Sequence, residues 1–312
     1  MLFSKKWLIT ALKLLVLVLV AWFVRDTLVK AWRQIGEQNW HWQPFWLVSS
    51  GAIYLVGLLP AAMYWRHVLT VLGQDARWSD TLRAYYIGHL GKYVPGKAMV
   101  VILRTMMVRG HRVDTAVAAV SVFFETLTMM AVGAFLAAGI LAMRLREERF
   151  LFWGAIGLMI VSGLPVLPPV FRFLARLAGV GKSDPAAAAA LSRLGWSTLL
   201  AGWICMALVW VLMGVSLWSV FRAMGVNNIS FIEYGPEFVA VVSLSMVAGF
   251  LSFIPAGLGV RDLILVELLV KIFTPVGLSN AVATVGSGLL RLIWLVSELI
   301  ISGILYLWRV DD

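Results

Sequence analysis

The chain has 312 residues, 61% of them hydrophobic and 13% charged, with a mean hydropathy of +0.90. That composition lies far outside the soluble range and marks an integral membrane protein with no soluble domain to host a catalytic centre. The net charge of +10 is scattered between apolar runs, with no basic arm or nucleic-acid fold, so anionic lipid headgroups are the fitting partner and nucleic acid is not.

About 20 helical residues cross a hydrocarbon core. The first run of that kind extends from Trp7 to Val24 behind Lys5 and Lys6. It is too long for a signal peptide and lacks a small-residue cleavage pattern, which predicts an uncleaved anchor helix. From Arg25 to Gln43, Leu28, Trp32 and Ile35 interleave with Arg25, Lys30, Arg33 and Glu37, the spacing of an interfacial helix. Further spans are predicted from Pro44 to Trp65, Asp114 to Met143, Phe150 to Phe171, Trp196 to Met224 and Asn280 to Trp308. Phe238 to Ile254 reads either as a full crossing or as one arm of a hairpin that enters the membrane and turns back. Arg172 to Gly195, with Lys182-Ser183-Asp184-Pro185 and five alanines from Ala186, reads as a loop leading into a short helix, a hinge between two halves. Trp32, Trp40, Trp42, Trp46, Trp65, Trp78, Trp153, Trp196 and Trp308 fall near span ends, where amphipathic rings anchor at the headgroup level.

Lys and Arg near span ends resist translocation. With the N-terminus in the cytoplasm, eleven of them lie inside (Lys5, Lys6, Arg66 and Arg172 among them) against seven outside, which orients the chain N-in at the plasma membrane. Cys205 stands alone in an apolar run, and His41, His67, His89 and His111 lack ligand spacing, so neither a disulfide nor a metal is expected and no cofactor is implied.

Two stretches break the apolar pattern with helix breakers and charges: Lys92-Tyr93-Val94-Pro95-Gly96-Lys97 with Arg104 behind it, and Ile254-Pro255-Ala256-Gly257-Leu258-Gly259-Val260-Arg261-Asp262. Backbone groups freed by Pro and Gly survive in a bilayer only where protein or a water-filled cavity covers them. The order of elements repeats around these breaks. A span (Pro44 to Trp65), a broken hairpin (Ser79 to Arg109) and a span (Asp114 to Met143) are followed by a span (Trp196 to Met224), a broken hairpin (Pro236 to Lys271) and a span (Asn280 to Trp308). One added crossing between them, Phe150 to Phe171, inverts the second unit if neither hairpin fully crosses, and paired interrupted segments in inverted halves point to a transporter's central site. The expectation is an all-α transmembrane bundle forming one membrane domain. A first half (about 1–171), a linker (172–195) and a second half (196–312) make it up, and each half carries a re-entrant Pro/Gly-broken hairpin.

Lys97 and Arg104, seven residues apart, share a helical face behind the Pro95-Gly96 turn and suit a phosphate headgroup. Arg261 and Asp262 diverge by about 100° around a helix, so at least one needs another partner. Glu267 and Lys271 have the spacing of a surface ion pair. In the last span Ser287, Arg291, Glu298 and Ser302 line one face, and Glu125 with Ser121 and Thr128 does so in the first half, with Arg104 or Arg291 as its partner. Charges at mid-bilayer are costly, so these must face the bundle interior, as ion-pair glue, as substrate contacts or as both. Nucleophile, metal and nucleotide motifs are missing from the sequence, which disfavours an enzyme.

At these residues the chain resembles the lysylphosphatidylglycerol synthase transmembrane-region family, flippase-like integral membrane proteins, over almost its whole length. The first signature matches Pro95, Gly96, Lys97 and Arg104, with Lys92 in the same stretch, and the second, Pro-x-Gly-x-Gly followed by Arg and an acid, matches Pro255, Gly257, Gly259, Arg261 and Asp262. Arg291 matches an Arg of the final span. Many members carry Gly-Glu where this chain has Met99-Val100, and Glu where it has Asp262. The resemblance implies movement of an anionic or zwitterionic phospholipid, or a polyprenyl-linked lipid, between leaflets, without lipid synthesis. Lys92, Pro95, Gly96, Lys97, Arg104, Glu125, Pro255, Gly257, Gly259, Arg261, Asp262, Arg291 and Glu298 are then the candidate substrate contacts. The alternative is a non-transporting membrane subunit that docks a glycosyltransferase or lipid-modifying enzyme.

Overall fold

The computed structural model describes residues 41–94, 98–108, 113–144, 149–180, 185–252, 254, 257 and 259–307. The anchor helix and most of the interfacial helix expected before Pro44 lie outside them, as do Pro95, Gly96, Lys97 and Pro255. Among the described residues the fold consists of helices and short turns.

Helix α1 (Pro44–Val71) starts with Pro at its first turn, where a missing N–H costs nothing. A hairpin follows, made of α2 (Trp78–His89), a 3-10 turn (Leu90–Tyr93) and α3 (Ala98–Val108), and then the long α4 (Thr115–Arg144). The span expected from Phe150 to Phe171 is instead broken into α5 (Arg149–Gly163), a 3-10 turn (Leu164–Val166) and α6 (Pro168–Leu177), bent by 67°. Pro165, Pro168 and Pro169 cannot donate to a helical ladder, so the chain bends where they cluster. The expected hinge contains the end of α6 and the eight-residue α7 (Pro185–Ser192). The second series is α8 (Trp196–Ala223), the hairpin of α9 (Phe231–Leu251) and α10 (Val260–Phe273), and α11 (Asn280–Leu307).

Five described helices, α1, α4, α8, α9 and α11, are long and apolar enough to cross a membrane. The protein is therefore a multi-pass helical membrane protein. With 21 residues, α9 reaches about 32 Å, so the first arm of the second hairpin has the length of a full crossing. The arms of the first hairpin, 12 and 11 residues, do not.

α1 packs along α8 through small residues. The hydroxyls of Ser50 and Ser216 each donate to the other's backbone carbonyl, at 2.9 and 3.0 Å. A Cβ on Gly57 would fall 3.1 Å from Leu212, and Gly202 lies against Tyr64. Low residue numbers on α1 meet high ones on α8 and the reverse, so the two helices run antiparallel. Close backbone approach with hydroxyl bonding is how helices associate where lipid leaves no hydrophobic driving force. The second arms also match: α3 packs on α4 as α10 packs on α11. Each hairpin's first arm meets the other half's last long helix, α2 on α11 and α9 on α4.

The expected interfacial role fails for Trp65, which is fully buried. α1 continues six residues beyond it, and its indole donates to the Ser121 hydroxyl at 2.9 Å. Trp78, Trp153 and Trp196 are exposed, as anchoring requires.

Candidate functional site

In both hairpins a glycine on the first arm makes room for an arginine on the second. A Cβ on Gly88 would fall 2.5 Å from Arg104 Cγ, and one on Gly249 would fall 3.0 Å from Arg261 Cβ. Gly257, at φ +65°, lies against Gly249 so closely that a Cβ there would be 2.7 Å from the Gly249 Cα. Gly259, at φ +79°, ends the turn, and the carboxylate of Asp262 reaches back to accept its N–H at 3.4 Å, capping α10. The glycines thus let the two arms of each hairpin approach at the stem of an arginine inside the bundle.

Arg104, 2% exposed, donates to Glu125 at 2.7 Å. Tyr85 donates to the other oxygen of Glu125 at 3.0 Å, and the guanidinium lies 3.9 Å from the Tyr85 ring and 5.5 Å from that of Trp65. Between the two partners left open by the sequence, Glu125 takes Arg104. This cation is held by charge from one side and by aromatic faces from others.

The second cluster centres on Glu298, 1% exposed. It accepts from Lys92 at 2.5 Å and from the Tyr54 hydroxyl, with His89 Nε2 3.8 Å away. Tyr54 stacks on Trp294 with centroids 4.3 Å apart, and the Trp294 indole donates to the Ser216 hydroxyl at 2.9 Å, which ties the site to the α1–α8 seam. On Trp294 rests Arg261, its guanidinium 4.8 Å from the ring. Its neighbour Asp262 turns the other way and pairs with Arg291, as the divergence of adjacent helix positions requires.

The clusters are continuous. His89 stacks with Tyr85 at 6.2 Å and lies 3.4 Å from the Tyr54 hydroxyl, which links Glu125 to Glu298 through aromatic side chains. Lys92, Arg104, Glu125, Arg261, Asp262, Arg291 and Glu298 therefore line one interior. Pro95, Gly96, Lys97 and Pro255 lie outside the described residues, and Gly257 and Gly259 shape the turn. The sequence reading missed Tyr54, Tyr85, His89, Trp294 and Ser216, together with Gly88 and Gly249. A helical face shared with a charged residue was the available signal for His89, three residues before Lys92. For Tyr54 and Ser216 no such neighbour exists.

A further buried carboxylate, Glu237 on α9, pairs with Arg144 at the end of α4, away from these residues in the chain order. It too was missed, because Pro236 beside it marked only the start of a hairpin.

The family model for the lysylphosphatidylglycerol synthase transmembrane region matches residues 10–302. The chain belongs to that family. A comparison with curated proteins returns no match. Membership covers both hairpins and every charged residue of the interior, so the Arg–Glu and Arg–Asp pairs described above lie within the family's domain.

Proposed function

We propose that this protein moves a lipid with a phosphate-bearing headgroup between the leaflets of the plasma membrane, without performing lipid chemistry. One observation carries the proposal: among the described residues of the interior, four cations face three carboxylates, and the guanidinium groups of Arg261 and Arg291 keep buried N–H donors without partners. Unmet donors of this kind cost free energy unless a ligand satisfies them, and in a membrane bundle they mark a substrate path. An anionic headgroup entering from the lipid supplies the missing acceptors while its tails remain in oil.

Alternating exposure of the two hairpins supplies a route across. Support for an inverted pair of halves comes from the antiparallel run of α1 and α8 and from the matched packing of hairpins against long helices. An N-terminus on the cytoplasmic side follows from the distribution of Lys and Arg.

The test is lipid movement in proteoliposomes, with a fluorescent phospholipid quenched from outside. Wild-type protein exposes inner-leaflet label to the quencher, and Arg261→Gln protein of equal thermal stability does not. Undiminished movement in that variant, or none in the wild type, removes the proposal. In the latter case a docking role for a membrane glycosyltransferase or lipid-modifying enzyme takes its place.

A further inference from the structure

The first arm of each hairpin is tied to the end of the other half's last long helix. On α9, Glu237 pairs with Arg144, the last residue of α4; on α2, Arg83 Nε donates to the Leu305 carbonyl, in the last turn of α11, at 3.1 Å. Glu237 is the seventh residue of its arm and Arg83 the sixth, so corresponding positions carry the two ties. One turn deeper in the second seam, the Ser302 hydroxyl donates to the Tyr86 carbonyl at 3.3 Å.

The ties sit at opposite ends of the bundle. Gln43 donates to the Ala223 carbonyl at 2.9 Å and the Trp218 indole to that of Ile229 at 2.9 Å, which gathers the start of α1, the end of α8 and the start of α9. Toward that end runs α4, from Ser121 beside Trp65 past Met129 beside Trp210 to Arg144. At the other end Tyr64 lies against Gly202 near the start of α8, and Tyr85 of α2 lies 6.2 Å from Trp65. Glu298, bonded to Tyr54 part-way along α1, falls between the two.

Neither tie has the build of permanent glue. A lasting buried ion pair needs its remaining lone pairs satisfied, yet Glu237 Oε2 has no partner among the described residues and the Arg144 side chain is 55% exposed. Such a cation can turn to water at its helix end. Arg83 Nε holds a carbonyl that the end of a helix leaves open, for which water can substitute. The α1–α8 seam is different, closed by small residues and reciprocal hydroxyl bonds.

A lipid whose tails stay in oil reaches the interior only sideways, through a seam between elements. Resting on the transport proposal, we infer that the α9–α4 and α2–α11 seams are the two lateral portals between bilayer and interior, one at each end of the bundle, latched by Arg144–Glu237 and by Arg83 on the Leu305 carbonyl. Both latches are fastened in this structure. Release of one frees a hairpin arm from the other half's long helix, so a polar head enters at that level while the opposite portal stays closed.

The experiment measures distances between spin labels on the full chain in phosphatidylglycerol nanodiscs, in a Cys205→Ser background. Labels on Met143→Cys with Ile232→Cys straddle the first portal, and labels on Trp78→Cys with Ile304→Cys the second, all at exposed positions. Glu237→Gln adds a longer-distance population at the first portal and leaves the second unchanged; Arg83→Gln does the reverse. Arg144→Gln, at an exposed side chain, repeats the first result should Glu237→Gln fail to fold. Unchanged distances in Arg144→Gln and Arg83→Gln overturn the latches. Bridging either cysteine pair with a short bismaleimide stops lipid movement in proteoliposomes, whereas single-cysteine proteins treated alike still move lipid. Undiminished movement across a bridged seam overturns that portal. Latch-dependent distances in a protein that moves no lipid uphold the two mobile seams and remove transport instead.

Discussion

Glu125 accepts from Tyr85 and Arg104 at once, so Glu125→Gln withdraws the charge that a buried guanidinium faces. The expected loss is about 3–5 kcal/mol, because the stranded cation keeps its desolvation cost. Thermal unfolding in detergent reads it, and adding Arg104→Gln restores most of the stability; a double variant no more stable than Glu125→Gln alone contradicts the stranded charge as the cause. Ser216→Ala acts at a distance: it strands the Trp294 indole N–H and cuts the α1–α8 seam, a loss of about 1–3 kcal/mol. Lipid movement falls with it, since Trp294 supports both Tyr54 and Arg261. At this scale the sequence announced the charges but not their partners. A charged residue in an apolar run is conspicuous by its cost, whereas Tyr54 is one of seven tyrosines and carries no mark of its role.

The hairpins depend on glycine at the approach of arm to arm. Gly257→Ala forces a side chain into a left-handed backbone conformation and against the Gly249 Cα, so it costs about 1–3 kcal/mol from strain alone. It also displaces Arg261, whose Cβ lies beside the same contact. Lipid movement in proteoliposomes and thermal stability then fall together, and unchanged movement in a destabilised protein separates the turn from the placement of Arg261. Long elements were legible in sequence because an apolar run answers directly to bilayer thickness: α4 and α11 lie within a residue or so of the expected spans. The broken α5–α6 segment was not, since hydropathy counts apolar residues and ignores what Pro165, Pro168 and Pro169 do to the backbone.

For the whole molecule, the proposed inversion of the halves predicts that the two hairpin turns face opposite sides of the membrane. In a Cys205→Ser background, Val94→Cys and Ile254→Cys should therefore react with a membrane-impermeant maleimide from opposite faces of intact cells and inverted vesicles. Labelling of both from one face rules out inversion. Element order alone suggested the repeat, and helix breakers beside charges located its two breaks; the antiparallel seam of α1 with α8 is a property of the packed bundle.

By itself, the sequence determined that the chain lives in a bilayer, which long runs are apolar enough to cross it, and that its charges must turn inward. Each of these follows from transfer free energies that act residue by residue along a local run. Only the tertiary structure decided who meets whom. Tyr54 and Glu298 stand 244 positions apart, as Lys92 and Glu298 stand 206. Burial demands that a charge find a partner but is indifferent to which one, so the choice belongs to helix packing, which gives Glu125 to Arg104, Glu298 to Lys92 and Asp262 to Arg291.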